Sequence, residues 1–447
     1  MEKFSYKKLT QVQMIAIGYV LIILCGALLL MLPISTRDGA GTSFIDAAFT
    51  SASASCVTGL VVADTCQNWT VFGQCVILIL IQIGGLGFMT IGVFFAVLLR
   101  RKIGLWTRGA LQESVNILQI GGIVRLAKKI IMGTLFFEGV GALLLAIRFH
   151  ERFGWLKATY YGIFHSVSAF CNAGFDLMGV DEPYSSFTGY YDDWLINLTI
   201  MSLIVIGGIG FFVWNDLSIH KLHFKHYRLH TKIVLTTTAV LIFGGAALFY
   251  IFESNNLLVG MSEHGKILSS LFSSVTARTA GFNTIDTASL EGSSKMLSMV
   301  LMFIGGSPGS TAGGIKTTTF VVLLAYIGAN LKNNNSCNVF GRRLAEGTIR
   351  KASTVLCTNL FLSITATIII TAVQSLPLTD VLFEVISAMG TVGMSTGITR
   401  ELNWISQAVL IFLMYCGRIG SLTFALSFKG HKQEAPVMQP IEDITIG

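Results

Sequence analysis

The chain has 447 residues, of which 53% are hydrophobic and only 12% are charged, and it contains 46 glycines. This composition excludes an ordinary soluble domain and indicates a protein that crosses a membrane many times. The formal net charge of +7 requires no nucleic acid partner, because membrane proteins collect lysine and arginine in their cytoplasmic loops.

Eight apolar runs follow one another along the chain. Each is long enough to cross a hydrocarbon core of about 30 Å, which takes roughly 20 helical residues. They span residues 14–34, 75–99, 130–147, 194–214, 233–252, 296–329, 354–373 and 405–428. Most lysines and arginines lie at the N-terminus and in the loops after the second, fourth and sixth runs. We therefore expect an all-α protein with both termini in the cytoplasm.

Between the members of each pair of runs lies a shorter apolar segment, in which a glycine follows a cluster of Ser, Thr and Ala. The four segments are FIDAAFTSASASCVTGL (44–60), YYGIFHSVSAFCNAGF (160–175), ILSSLFSSVTARTAGF (267–282) and VLFEVISAMGTVGMSTG (381–397). They are too short to cross, so we interpret them as re-entrant. The next run carries IGGLGF, IGGIGF, IGGSPG or CGRIGS. In the second unit the polar insert DEPYSSFTGYYDD lengthens the connection.

This self-similarity predicts four consecutive helix–pore loop–helix repeats with pseudo-fourfold symmetry around one central pore. The predicted boundaries are 1–100, 101–217, 218–331 and 332–447. Irregular backbone at membrane depth is tolerated where it is buried or lines a water-filled cavity. Carbonyl groups on such backbone can replace the hydration shell of a monovalent cation. The predicted filter comprises Val57, Thr58, Gly59, Asn172, Ala173, Gly174, Thr279, Ala280, Gly281, Thr391, Val392 and Gly393.

An alternative for the glycine-rich motifs is close helix packing, which small residues permit in membranes. For IGGLGF and IGGIGF we favour this alternative. Packing alone does not explain four short dipping segments at equivalent places, for which an ion pathway is the better interpretation.

The stretch GSPGSTAGGIKTTT (306–319) resembles a phosphate-binding loop, but Ile315 separates Gly314 from Lys316 and both flanks are apolar helix. A phosphate-binding loop needs a strand before it, in a βαβ unit, and that strand is missing here. The run 296–329 would extend about 51 Å as one helix, so it must break inside the membrane. We interpret the break as a gate below the filter, with a rigid bend as the alternative. The predicted gate comprises Gly305, Gly306, Ser307, Pro308, Gly309, Ser310, Thr311, Ala312, Gly313, Gly314, Lys316 and Arg418.

Arg418 belongs to the gate because it replaces the second glycine of the repeated motif and lies deep in the eighth run. An ionisable residue there is functional by default. An ion pair without a role in permeation is the alternative. Arg278, close to the third filter glycine, is expected to be outward-facing or structural and held by carbonyls.

The motifs SASASCVTGL, SAFCNAGF, TARTAGFNT, GTVGMSTG and GGSPGSTAGGIKT together resemble the Trk/Ktr/HKT superfamily of cation transporters over residues 10–428. The chain is most similar to the KtrB membrane subunits of bacterial Ktr potassium uptake systems. The resemblance implies one filter glycine per repeat, at Gly59, Gly174, Gly281 and Gly393. The glycine at 59 implies potassium as the substrate. The third loop, one residue shorter than the second, departs from the pattern.

The resemblance further implies a bacterial plasma membrane location, activation by Na⁺, a homodimer and an intramembrane gating loop. It implies a cytosolic ring of nucleotide-binding KtrA-type subunits as partner, since this chain has no nucleotide motif and no cofactor of its own. The basic segment 100–129 suits a docking surface or anionic lipid.

Two rival functions remain. A sodium-coupled solute symporter also uses broken helices, but would show paired inverted repeats. An intramembrane enzyme would need a catalytic constellation among its ionisable residues, which the spans do not contain. We therefore expect no enzyme activity.

Overall fold

The structure is a computed structural model, and it describes residues 10–87, 89–92, 109, 123–221, 223–334, 336–420, 424, 440 and 442. Within them the regular secondary structure is helical apart from one small hairpin, β1 (Asn338–Val339) antiparallel to β2 (Arg342–Arg343). Most of the basic segment 100–129, the ends of the second and eighth runs and the C-terminal tail lie outside these residues.

The first helix of each repeat is long and apolar enough to cross a membrane. These outer helices are α1 (Gln11–Leu30), the first arm of α5 (Ile123–Phe170), α8 (Leu229–Glu253) and α12 (Glu346–Val373). The start of α1 is fixed by a capping box between Thr10 and Gln13, which satisfies backbone N–H groups that a helix start leaves free. Helix α5 bends at Gly154, where φ is 73°, and its second arm becomes a pore helix.

The pore helices are short because each must stop halfway through the membrane. They are α2 (Phe44–Cys56), the second arm of α5, α9 (Glu263–Thr276) and α13 (Leu378–Gly390). Ser43 and Ser262 cap the starts of α2 and α9. Helices of 13 or 14 residues extend about 20 Å, which is less than the hydrocarbon core. The prediction of four re-entrant segments is confirmed.

The second helix of each repeat, the inner helix, is interrupted. The inner helices are α4 (Val71–Leu86), α6 (Trp194–Gly208) with α7 (Phe211–His220), α10 (Gly292–Ile304) with α11 (Thr317–Leu331), and α14 (Trp404–Ile419). A short helix α3 (Thr65–Asn68) precedes α4. Every interruption contains a glycine with positive φ: Gly87, Gly210, Gly305 and Gly420.

The sequence predicted a break in the run 296–329, and the other three inner helices are interrupted as well. Helices α6 and α7 meet at 95°, and α4 and α14 stop at Leu86 and Ile419. Residues with a Cβ avoid positive φ, so a glycine of the motif permits each break. It lies near the end of the motif at Gly87, Gly210 and Gly420, whereas Gly305 is the first glycine of its motif. The first glycines still serve close packing, because a Cβ on Gly84 would lie less than 3.0 Å from Ser55 O.

The four repeats close into a ring. The inner helix of each repeat packs against the pore helix of the next, as α4 does on α5, α6 on α9, α10 on α13 and α14 on α2. The last contact joins the fourth repeat to the first, so the predicted all-α fold with pseudo-fourfold symmetry is confirmed.

Pore helices are tied to outer helices by one recurring hydrogen bond. A serine hydroxyl on the pore helix donates to an outer-helix carbonyl, and a glycine three residues beyond that carbonyl makes room. The bonds are Ser51 Oγ to Ile23 O (2.7 Å), Ser166 Oγ to Glu138 O (2.7 Å) and Ser274 Oγ to Ile242 O (2.8 Å). The glycines are Gly26, Gly141 and Gly245. The fourth repeat has Val385 at the equivalent place.

Candidate ion pathway

The four filter glycines lie next to one another around an axis. A Cβ built on each would lie less than 3.0 Å from the carbonyl oxygen that precedes the neighbouring filter glycine. The pairs are Gly59 with Ala173 O, Gly174 with Ala280 O, Gly281 with Val392 O and Gly393 with Thr58 O. The contacts run through the repeats in order and return to the first. The structure thus brings the four predicted filter segments together, and they contact one another through main-chain atoms.

Each loop has the same unusual backbone conformation. The filter glycine has positive φ, from 69° to 96°, and so does the residue two positions before it. Those residues are Val57 (59°), Asn172 (61°), Thr279 (74°) and Thr391 (51°). A left-handed conformation at a residue with a Cβ persists only where its surroundings over-determine it. The loops are therefore held in a fixed shape by their packing.

A hydroxyl on each pore helix contributes to that restraint. In the first and fourth repeats the filter glycine donates its N–H to the hydroxyl, Gly59 to Ser53 (3.0 Å) and Gly393 to Ser387 (3.1 Å). In the second and third repeats the hydroxyl donates to the carbonyl after the glycine. These bonds are Ser168 to Phe175 O (2.7 Å) and Thr276 to Phe282 O (2.6 Å).

These four hydroxyls were not predicted from the sequence, although their spacing from the filter glycine is nearly constant. Ser53, Ser168 and Ser387 each precede the filter glycine by six positions, and Thr276 precedes it by five. The shorter third loop therefore starts from an equivalent hydroxyl and reaches an equivalent glycine.

On one side of the ring the four filter glycines line a cavity of about 310 Å³, the vestibule, together with polar side chains. Asp64, Asp176 and Asp286 face it, so its charge is favourable to cations. Asp64 is fixed in place, because its carboxylate accepts N–H bonds from Cys66 and Gln67 (2.8 Å each) and from Tyr184 (2.7 Å).

The polar insert of the second repeat crosses the vestibule and contacts the other three repeats. Tyr184 bonds to Asp64 of the first repeat. Phe187 donates its N–H to Asn283 O of the third repeat at 2.9 Å. The guanidinium carbon of Arg400, from the fourth repeat, lies 3.6 Å from the centroid of the Tyr184 ring, a cation–π contact. Sequence reasoning noted the insert but not this role.

On the other side of the ring lies the segment 305–316, which we call the gating segment because the sequence predicts a gate there. Its Thr311 is completely buried and its hydroxyl bonds to Phe170 O (3.1 Å) and Asn172 Oδ1 (3.0 Å) of the second repeat. A Cβ on Gly313 would collide with the Thr391 side chain of the fourth filter loop. The segment thus touches two filter loops directly.

The gating segment also fills the break in the second repeat. Phe211 N donates to Gly309 O (2.8 Å), and Ser307 N donates to Gly208 O (3.1 Å). Backbone groups that a broken helix leaves free are thereby satisfied, as a membrane interior requires. Inside the segment, Lys316 Nζ donates to Ala312 O at 2.7 Å and closes the loop.

Arg418 reaches the gating segment from the fourth inner helix. Its guanidinium donates to Thr311 O and to the carbonyls of Gly84 and Gly85 at the end of α4. It therefore joins the first, third and fourth repeats at one point. Arg278 is buried, with 7% exposure, and its Nε has no hydrogen-bond partner in the described part of the chain. It is not outward-facing, and the expected carbonyl partner is missing at that atom.

Within the described residues no three His, Cys, Asp or Glu side chains are placed to hold a metal ion. Main-chain oxygens converge instead, at the centre of a helical ring with a vestibule on one side and a filled cavity on the other. This architecture is that of a cation-conducting membrane protein with one central pore lined by main-chain oxygens.

Comparison with known proteins supports this assignment. The family model for the cation transport protein TrkH matches residues 10–437, and the chain belongs to that family. It is 40% identical to the potassium/sodium uptake protein NtpJ of Enterococcus hirae, covering 100% of this chain and 99% of that protein. It is 41% identical to the Ktr system potassium uptake protein B of Bacillus subtilis, covering 96% and 95%.

A solved structure shares the fold. The crystal structure of the potassium transporter TrkH from Vibrio parahaemolyticus superposes with a TM-score of 0.76 at 18% identity, covering 96% of this chain and 87% of that one. The alternative of a sodium-coupled symporter finds no support in the family match or in the ring of four equal loops.

Proposed function

We propose that this chain is the pore-forming subunit of a Ktr-type potassium uptake system in the bacterial plasma membrane. The observation that carries the proposal is the closed ring of contacts from each filter glycine to the preceding carbonyl of its neighbour. Relatives at 40% and 41% identity over nearly their whole length are named for potassium uptake, which supports K⁺ as the substrate.

In this proposal the ion is held by backbone carbonyls of the residues that precede the filter glycines. Thr58, Ala173, Ala280 and Val392 supply one layer of four oxygens, and Val57, Asn172, Thr279 and Thr391 supply the next. Carbonyl dipoles replace the water that K⁺ loses when it enters the filter. The restraint by pore-helix hydroxyls supports a ring whose size and field suit K⁺ better than the smaller Na⁺.

Residues 305–316 act as the gate, and Arg418 holds it closed. The segment occupies the space below the filter and is bonded to it through Thr311. A positive charge beside a cation path adds an electrostatic barrier, and three carbonyl bonds fix that charge in place. Opening requires the segment to leave the axis, which exchanges those bonds for water in the cavity.

The proposal also covers the topology of the chain, its oligomeric state and its partner. Both termini lie in the cytoplasm, the four repeats have the boundaries given above, and two chains form a homodimer with one pore each. A cytosolic ring of KtrA-type subunits controls the gate by binding nucleotide. Na⁺ acts as an activator, as the resemblance to Ktr systems implies.

Expression in a bacterium that lacks its own potassium uptake systems tests the function. Growth at limiting K⁺, with and without the cytosolic partner, should depend on the chain. Gly59→Ala, which places a Cβ against Ala173 O, should raise the K⁺ concentration that rescue requires. Gly244→Ala is the matched control, because no atom lies within 4 Å of its added Cβ. Equal rescue by the wild type and Gly59→Ala would reject the filter.

A further inference from the structure

One position on the pore helices carries a different type of residue in each of the four repeats. It lies three residues before the hydroxyl that restrains the filter loop, on the adjacent turn of the pore helix. The residues at this position are Thr50, His165, Ser273 and Glu384. All four side chains are buried, with at most 5% exposure.

Glu384 ties its pore helix to the chain that leaves the fourth filter loop. It is 1% exposed and accepts hydrogen bonds from Ser395 Oγ and from Thr399 Oγ1 (3.0 Å). Ser395 Oγ in turn accepts the N–H of Gly397 at 2.8 Å. Ser395 follows Gly393 by two residues, so the carboxylate fixes the segment directly beyond the filter glycine. A buried carboxyl group requires such partners.

His165 makes the corresponding connection in the second repeat. It is completely buried, and Leu177 N donates to its Nε2 at 3.0 Å. Because Nε2 accepts, the proton of the neutral ring lies on Nδ1, which donates to Tyr161 O (2.7 Å). Leu177 follows Gly174 by three residues. The edges of Phe149 and Phe187 pack against the ring and keep its orientation.

The other two repeats lack this connection. Ser273 Oγ donates to Ser269 O of its own helix at 2.8 Å. Thr50 Oγ1 has no hydrogen-bond partner in the described part of the chain. Since each filter glycine contacts the loop of the next repeat in order, the second and fourth repeats stand opposite each other across the axis. Such a connection from the pore helix to the segment after the filter glycine, here called a brace, is therefore present in two opposite repeats.

We propose that His165 and Glu384 are positioning residues that set cation selectivity by fixing the segments immediately after two opposite filter glycines. The inference rests on the proposed function. Neither side chain touches the ion path, and each acts through a segment continuous with the carbonyl ligands. Without the braces, two of the four loops can relax inward or outward, and the ring then loses its preference for one ion size.

The test measures K⁺ and Na⁺ flux through the purified full-length chain in liposomes. Glu384→Leu and His165→Leu should lower the K⁺/Na⁺ flux ratio about tenfold, the effect of losing one strong hydrogen bond. Glu384→Gln should stay near the wild type, because an amide can bond to both hydroxyls. Thr50→Val, at the same position of the first repeat, is the matched control and should leave the ratio unchanged.

Ser395→Ala and Thr399→Val together remove the brace from the loop side and leave the pore helix unaltered. They keep the proposal testable if the leucine variants fail to fold, and they should lower the ratio similarly. An unchanged ratio in the folded brace variants overturns the proposal.

Thermal unfolding of the same proteins in KCl and in NaCl distinguishes a failure of the proposed function from a failure of the role given to His165 and Glu384. A ligand that binds the folded state raises the Tm. The wild type should unfold at higher temperature in KCl than in NaCl, and the difference should vanish in the brace variants alone. A wild type without flux and without this difference rejects the proposed function. A difference that survives in the brace variants rejects only their role.

Discussion

Arg418 donates a hydrogen bond to the carbonyl oxygen of Thr311, and this contact joins the fourth inner helix to the centre of the gating segment. The same Thr311 bonds through its hydroxyl to Asn172 Oδ1 of the second filter loop. Filter, gating segment and arginine therefore form one continuous network.

Arg418→Ala should raise potassium flux about tenfold without changing the K⁺/Na⁺ ratio. It removes a partly buried charge and three hydrogen bonds to carbonyls from the closed state. Water replaces most of these bonds in the open state, so the net loss is about 1.5 kcal/mol, the low end for a bond to a charged group. Flux through proteoliposomes measures this. Arg37→Ala is the control, because Arg37 also bonds to a carbonyl, Trp69 O, but outside the pathway. A flux equal to that of the wild type would contradict the role of Arg418.

Deletion of residues 310–313 should likewise increase flux, because it removes the part of the gate that contacts the filter. Thr311→Val is the smaller change, and it loses only the bonds to Phe170 O and Asn172 Oδ1. It should give a smaller increase, whereas Thr318→Val on α11 should give none. Uptake rates at saturating K⁺ distinguish the three. Reduced flux in a folded deletion variant would favour the rigid bend over a gate.

Gly59→Ser should lower the K⁺ preference of the pore. The serine Cβ would press on Ala173 O and on Gly174, and φ of 96° is strained for any residue with a side chain. Competition between Rb⁺ uptake and added Na⁺ measures the preference. Stronger inhibition by Na⁺ than in the wild type is expected, and an unaltered competition curve would argue against a carbonyl filter.

Gly245→Ala should destabilise the protein, whereas its neighbour Gly244→Ala should not. The added Cβ at 245 would collide with Ser274 Oγ and approach Leu301, and overpacking costs about 1–3 kcal/mol. At 244 the space is open, and replacing a helical glycine stabilises by about 0.5–1 kcal/mol. Thermal unfolding in detergent should separate the two variants in opposite directions. Equal Tm values would contradict the packing of pore helix on outer helix.

Asp64→Asn should raise the KM for K⁺ severalfold at low ionic strength and leave the maximal rate nearly unchanged. The substitution removes a charge from the vestibule, and charged vestibules concentrate their ions. Asp38→Asn, on an exposed loop outside the vestibule, should behave like the wild type. Asp64 is buried, with 8% exposure, so added choline chloride should shrink the effect only partly. A KM insensitive to both changes would exclude this role.

Local patterns in the sequence predicted the repeats, the filter glycines and the break at 305–314, because each depends on glycine or proline placed in apolar helix. The partners of Arg418 could not be predicted, since Thr311, Gly84 and Gly85 meet it only after the ring closes. The bend at Gly210 was missed for another reason. The motif IGGIGF serves close packing with its first glycine and helix termination with its last, and the pattern alone does not separate the two.

The central claim is that four loops of main chain hold a dehydrated cation on the axis, and anomalous scattering from crystals grown in Rb⁺ tests it most directly. The account predicts an anomalous peak between the carbonyl oxygens of Thr58, Ala173, Ala280 and Val392, and a weaker peak in Gly59→Ser. A peak coordinated by side chains away from these oxygens, or an axis without Rb⁺ in a protein that transports it, would contradict the account.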